Sequence, residues 1–285
     1  MPILYVLWGI GLLTMIAASM LSAGNVSYAL SHTAIETAKD QAAAEAGVMR
    51  AVLGLLDPRP DRRWRVDGVE KAFNWGEVTM RIAIQDELGR IDLNQADQGL
   101  LTGLFRSVGL NASDASAVVD KILDWRDANP GRRLNGAKEA DYRAADVHQG
   151  PRNGPFQSVD ELQLVMGMTS ELYRRVEPAI TVYSGRQFFD PQFAPREALL
   201  ALPTMTADAV ANIIAARTNQ AVGAGVIPTA IRLGGRAFSI RIEIPGSTGV
   251  VVHEAVVRLT DDARQPFWVL SWKSKSMSHA PENRS

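Results

Sequence analysis

ILYVLWGIGLLTMIAASMLSA, residues Ile3 to Ala23, decides how the rest of this chain is organised. The run is almost wholly apolar, and no charged side chain precedes Glu36. As a helix rising ~1.5 Å per residue it would span roughly 31 Å, the thickness of a bilayer's hydrocarbon core. A cleaved secretory signal has a shorter apolar stretch behind a basic segment, and neither feature is present. The expectation is a retained membrane anchor. Its orientation has no flanking Lys or Arg to set it, because nothing basic precedes the run.

The helical pattern continues past the membrane edge. Residues from Ser31 to Leu56 are alanine-rich and favour helix. Ala38, Ala42, Met49, Leu53 and Leu56 fall on one stripe, with Glu36, Lys39, Asp40, Glu45 and Arg50 largely elsewhere. Pro58 and Pro60 end the pattern. One helix of about 55 residues would be roughly 80 Å long. Its first half suits lipid or a helical bundle, and its amphipathic second half suits packing against a globular head.

Beyond the helix, residues 57–74 read as a polar loop holding Trp64. Glu77–Ile84 alternates apolar and polar at the strand period. Glu87–Arg90 reads as a turn, and Ile91–Leu93 is expected to extend the same sheet. The period then switches to that of helix, in three weakly repeated units of two short helices each. The first opens at Asn94 as N-cap and breaks at Gly109, and its second helix starts at Ser113. The second opens with the capping box Ser158-Val-Asp-Glu161 and turns at Gly167. The third has Pro195 at its first helical position and ends at Arg217. Three strands follow, Ala237–Ile244, Val250–Thr260 and Phe267–Trp272, and a polar tail from Lys273 is expected to be disordered.

A lone early strand cannot cover its edges or its apolar face. Glu77–Ile84 is therefore expected to join the late strands in one sheet, with the helical block inserted between them. The expected class is α+β, with the long helix packed on an antiparallel sheet. The expected divisions are 1–56 for the helix, 57–93 with 221–272 for the head, 94–220 for the inserted helical domain, and 273–285 for the tail.

Composition narrows the chemistry. The chain has 285 residues, 46% of them apolar, enough for a substantial core. Its 30 basic and 31 acidic side chains nearly cancel, which gives no electrostatic reason for a nucleic-acid partner. The absence of cysteine excludes disulfides, thiolate zinc sites and cysteine nucleophiles. His32, His148, His253 and His279 are scattered and make no paired metal motif. Nucleophile elbow, P-loop and zinc-protease motifs are missing, so no enzyme activity is expected.

Several motifs in a fixed order make the sequence resemble the K-type minor pseudopilin of bacterial type II secretion systems (general secretion pathway protein K). They are LYVLWGIGLLT, GRIDLNQAD, DWRDANPGRRLNGAKEADY, PFQSVDELQLVMGM, ITVY and APREALLALP. The resemblance implies a pilin-like fold with a large helical domain inserted in the head. It implies a subunit capping the tip of a periplasmic pseudopilus and promoting its assembly for protein export. The implied partners are the I-type and J-type minor pseudopilins, other pseudopilins of the system, the inner membrane crossed once with the head in the periplasm, and a prepilin peptidase acting on the precursor. No basic leader precedes the apolar run, which makes Met1 either the first residue of the mature form or a displaced start. Tyr5 stands where most pilins carry glutamate, a departure for which the K-type is known.

The same resemblance implies calcium in the inserted domain, with Asp124, Asp127, Glu139 and Asp141 as the candidate metal ligands. A carboxylate-rich loop with glycines can wrap such a hard cation. Its spacing is not that of an EF-hand, Lys138 stands where the family pattern has an acidic residue, and Arg126, Arg132 and Arg133 are at hand to neutralise the carboxylates. The stretch suits either a calcium loop or a loop of caps and surface ion pairs. The two-helix units also resemble helix-hairpin-helix modules. The alternative is thus a membrane-anchored DNA receptor of a competence-type uptake system. Against it, the hairpins keep one glycine each or none, and residues 94–183 are slightly acidic, whereas phosphate binding needs a basic footprint. No nucleic-acid partner is expected.

Overall fold

The computed structural model describes residues 2–147, 149–220, 233–246 and 249–278, and few side chains before Ala34. Helix α1 (Pro2–Leu55) is continuous, as the sequence requires. Most side chains of the expected anchor, Ile3–Ala23, lie outside the described set. Among the described residues no helix is long and apolar enough to cross a membrane.

Strands β1 (Asp67–Trp75) and β2 (Val78–Asp86) form a hairpin across Gly76 and Glu77. Strands β5 (Ala237–Gly246), β6 (Gly249–Leu259) and β7 (Phe267–Ser278) complete one antiparallel sheet in the order β1-β2-β5-β6-β7. The early strand does join the late ones, with Ile82 opposite Ile242 and Ile84 opposite Ile240.

Three local expectations are corrected. β1 falls in the stretch taken as loop, because it is an edge strand with almost every residue exposed and so lacks the alternation that marks a half-buried strand. β7 passes through Lys273 to Ser278, since its pairing with β6 extends to Gly249 opposite Ser278; residues 279–285 of the expected tail lie outside the described residues. Finally, β3 (Ile91–Asp92) does not extend the main sheet. It pairs in parallel with β4 (Ile180–Thr181) as a separate two-stranded ladder.

The lower part of α1 lies on the sheet, but by the face opposite to the expected one. Ala43, Ala44, Val48, Ala51, Val52 and Leu55 are buried against Met80, Ile82, Ile240, Ile242 and Val257. Met49 and Leu53, from the expected stripe, are 54% and 65% exposed, and Ala38, Ala42 and Leu56 are exposed with them. Space decides this. A Cβ on Gly47 would lie 2.9 Å from Ile242 Cδ1, and one on Gly54 would lie 2.5 Å from the Trp64 ring. The face that comes this close has glycine at the two tightest points and carries Val48, Val52 and Leu55 beside its alanines, while Met49, Leu53 and Leu56 turn outward.

Between β2 and β5 the chain builds a helical block with its own core. It contains α2 (Gln98–Ser107), α3 (Ala112–Arg126), α4 (Glu139–Ala144), a 3-10 turn at Val159–Leu164, α5 (Ser170–Val176), α6 (Arg196–Leu200) and α7 (Ala207–Gln220). Leu101, Leu104, Phe105, Val119, Ile122, Leu162, Val176 and Leu199 are at its centre. α2 is capped by Asp97, whose carboxylate accepts from Leu100 N at 2.8 Å, and not by Asn94. Asn94 instead clasps Phe156, donating to its carbonyl at 2.9 Å and accepting from its N–H at 2.7 Å. α3 is capped by Asn111 one residue earlier than expected, and Pro195 is the N-cap of α6. The Ser158 capping box does not form, because Glu161 is held by Arg152 at 2.7 Å.

The block meets the sheet through Phe193, buried in the sheet's core, and through polar groups beside it. Gln85 donates to Phe193 O at 2.7 Å, and Asp190 N donates to Leu88 O at 2.7 Å. Asp86, fully buried, pairs with Arg236, and Glu87 pairs with Arg90 at 3.1 Å and accepts from Ser239. Burial drives the Asp86 carboxyl up to about 6, against the pull of Arg236 and of the Leu88 N–H.

Two outcomes are expected. Gly54→Ala should destabilise by about 2 kcal/mol through overpacking against Trp64, outweighing the gain in helix propensity, whereas Leu53→Ala should stay within about 0.5 kcal/mol of wild type in thermal unfolding. The folded chain binds the Asp86 proton more tightly than the unfolded chain. That contribution is full below pH ~4 and is lost as pH rises towards about 6. The wild-type unfolding midpoint minus that of Asp86→Asn should therefore fall from pH ~4 to ~6.5 and then level; a difference that stays flat would show that Asp86 is not the group titrating there.

Candidate functional site

Carboxylates recur along the loop after α3, and each finds a different partner. Asp124 is buried in the last turn of α3; its Oδ2 accepts from Arg133 N at 3.2 Å. Its Oδ1 has no hydrogen bond, with Arg133 Nε 3.7 Å away. Asp127 is exposed and accepts from Asn129 N at 2.9 Å, closing the turn after the helix. Asp141 accepts from Lys138 N at 2.9 Å and from Arg132 Nη1 at 2.8 Å. The Lys138 N–H first, and Arg132 with it, hold the Asp141 carboxyl below the usual carboxylate range against the opposing effect of desolvation. Glu139 points to Arg143, 3.5 Å away on the next turn of α4.

The four side chains expected as ligands are thus drawn into separate pairings. Among the described residues no group of three or more His, Asp or Glu is arranged to hold a metal ion. The position among them is taken by Lys138. Its ammonium donates to Asp124 O at 2.8 Å, Asp127 O at 2.8 Å and Asn153 Oδ1 at 3.3 Å. Asn153 reaches it from a backbone held at φ 53°. The carboxylates were visible in the sequence; the convergence of two main-chain carbonyls on a lysine was not, because carbonyl direction depends on where α3 ends.

The hairpin turns are tight, with Gly109 at φ 107° and Gly167 at φ 89°. Their N–H groups turn inward. Gly109 N donates to Arg106 O at 3.1 Å, Leu110 N to Phe105 O at 3.2 Å, and Met168 N to Val165 O at 2.9 Å. These bonds close the C-termini of the preceding helical turns and withdraw the donors that a phosphate would need.

Among the described residues, two groups of neighbouring apolar side chains in the head face outward. One is the α1 stripe of Ile35, Met49, Leu53 and Leu56. The other lies on β7, the sheet's far edge, where Trp268 and Val269 are 58% and 50% exposed and Leu270 is exposed beside them. A bulge between Val256 and Val257 shifts the register here, with Ser271 opposite Val256 but Val269 opposite Val257. The bulge breaks the strict alternation and leaves consecutive apolar side chains exposed. The unbroken FWVL run in the sequence is the signal for it, although such a run reads more readily as a strand buried on both faces.

Residues 82–185 match the family model for type II secretion system protein K. The chain is 25% identical to type II secretion system protein K of Pectobacterium carotovorum subsp. carotovorum over 134 residues, 42% of this chain and 40% of that protein. It is 35% identical to the Dickeya chrysanthemi protein of the same name over 75 residues, 26% of this chain and 20% of that one. The matched stretches thus span at most 40% of the length of these relatives. In fold, it is similar to a chain in the crystal structure of the GspK-GspI-GspJ complex from the enterotoxigenic Escherichia coli type 2 secretion system. The TM-score is 0.62 with 15% identity, over 87% of this chain and 99% of the other.

Proposed function

We propose that this chain, which carries the type II secretion system protein K domain over residues 82–185, is a minor pseudopilin that works through protein contacts at the tip of a periplasmic pseudopilus. In this role the apolar first part of α1 sits in the inner membrane and the head projects into the periplasm. I-type and J-type pseudopilins associate with the chain, and the assembled tip promotes growth of the filament for protein export.

One observation carries the reading. α1 seats Ala43, Ala44, Val48, Ala51, Val52 and Leu55 on the sheet and leaves Ile35, Met49, Leu53 and Leu56 exposed on the other side. A helix that served only its own head would have no use for four more large apolar side chains in water, whose burial is worth roughly 1.5–3 kcal/mol each. An outward stripe in line with the apolar run Ile3–Ala23 suits side-by-side packing with the helices of neighbouring subunits.

The test is co-purification, in detergent, of the full chain with the I-type and J-type pseudopilins of the same cell. A stable three-component complex is expected. The double substitution Met49→Asp and Leu53→Asp should leave the circular dichroism spectrum unchanged, because both side chains are exposed, and should cut recovery of the partners at least about tenfold. Full recovery with the double variant would remove the stripe from the interface. Salt-sensitive binding of duplex DNA by the chain, without any pseudopilin complex, would favour the uptake-receptor reading instead.

A further inference from the structure

A hard divalent cation such as calcium takes six to eight oxygens at about 2.3–2.6 Å, several of them carboxylate. The loop from Asp124 to Asn153 has the oxygens for such a site, but it spends them otherwise. We infer that the Lys138 ammonium is the built-in cation of this loop and stands in the place of a divalent metal.

The first support is geometric. An ammonium has three donors and no acceptor. Lys138 Nζ directs its three at Asp124 O, Asp127 O and Asn153 Oδ1, at 2.8, 2.8 and 3.3 Å. Two of these acceptors are carbonyls at the C-terminal end of α3, where the helix dipole favours positive charge. The third comes from the segment that precedes Phe156. Lys138 itself opens α4. One side chain therefore ties the end of α3, the turn after it, the start of α4 and the Asn153 loop together, as a bound ion would.

The second support is charge. Arg133 faces Asp124, Arg132 bonds Asp141, and Arg143 faces Glu139. With Lys138 added, the loop's carboxylates are already balanced by fixed cations, so a divalent ion entering it would meet little excess negative charge. Among the described oxygens of these four carboxylates, Asp124 Oδ1 is the one buried without a hydrogen bond, and Arg133 Nε lies 3.7 Å from it.

The experiment is thermal unfolding of the full chain in detergent, in chelator and in millimolar calcium. The wild-type midpoint should be the same in both. Lys138→Met keeps the length of the side chain and removes the charge; its midpoint should fall by about 4 °C, equally in both solutions. Lys138→Glu should fall further in chelator and recover when calcium is added, because a carboxylate among the same oxygens recreates a cation site. A wild-type midpoint raised by calcium, a Met variant that melts with the wild type, or a Glu variant indifferent to calcium would each overturn the assignment. If the Met variant fails to fold, the wild-type comparison and calorimetric titration of the wild type with calcium decide the matter. Absence of binding heat is expected, and saturable heat would refute the inference.

Discussion

The close approach of α1 to the sheet is the constraint from which the rest of the architecture follows. Gly47 and Gly54 have no room for a side chain beside Ile242 and Trp64. The face turned to the sheet is therefore bare at these two points, and Met80, Ile82, Ile240 and Ile242 of the sheet pack against Val48, Val52 and Leu55 beside them. Trp64 closes the end of this layer, with the Arg50 guanidinium 4.6 Å from its ring centre. The helix buries Val48, Val52 and Leu55 in the core it shares, while Met49, Leu53 and Leu56 are left for other surfaces. A design choice made for internal packing thus leaves an apolar stripe on the outside.

The helical block is joined to this layer by apolar and charged contacts together. Phe193 of the block is buried in the sheet's own core, Gln85 donates to its carbonyl, and the Arg236 guanidinium, paired with Asp86, is 5.3 Å from its ring centre. The buried pair holds a fixed geometry because any slip leaves a charge buried and unpaired. At the opposite edge, Lys273 of β7 reaches Asp160 of the block at 2.5 Å. Burial alone would raise the Asp160 carboxyl; the bonds from Lys273 and Tyr173 outweigh it and hold the group low.

How much of this was legible depends on what each signal reports. The continuous helix, the split sheet and the α+β class follow from periodicity, which reads burial, and burial alternates from Thr79 to Ile84 in β2 and from Ile240 to Ile244 in β5. β1 was missed because its residues are exposed on both faces, so there was no alternation to read. The α1 stripe was found and assigned to the wrong side. Periodicity shows that two faces differ; it does not show which one is near a neighbour, and here steric room overruled hydrophobicity. At the loop, the sequence displayed Asp124, Asp127, Glu139 and Asp141 but not their separation into pairs. It also singled out Lys138 as out of place, without showing that the lysine would gather the carbonyls. Helix caps at Asn94 and Ser158 were misassigned for one reason: side chains that suit a cap also suit tertiary bonds, to Phe156 in one case and around Glu161 and Arg152 in the other.

The split sheet also has a kinetic consequence. β2 and β5 are neighbours in the sheet, yet the whole helical block lies between them along the chain. While that stretch is unstructured, bringing the two strands together means closing a very long loop, and contacts so distant in sequence form slowly. Once the block has condensed around Leu101, Phe105, Ile122 and Leu199, its two ends are held near each other and the effective loop is short. The closure cost rises only with the logarithm of loop length, about 0.6 kcal/mol per doubling, so the finished sheet tolerates the insertion with little loss. A block that condenses early would therefore shorten the closure on which the sheet beneath α1 depends.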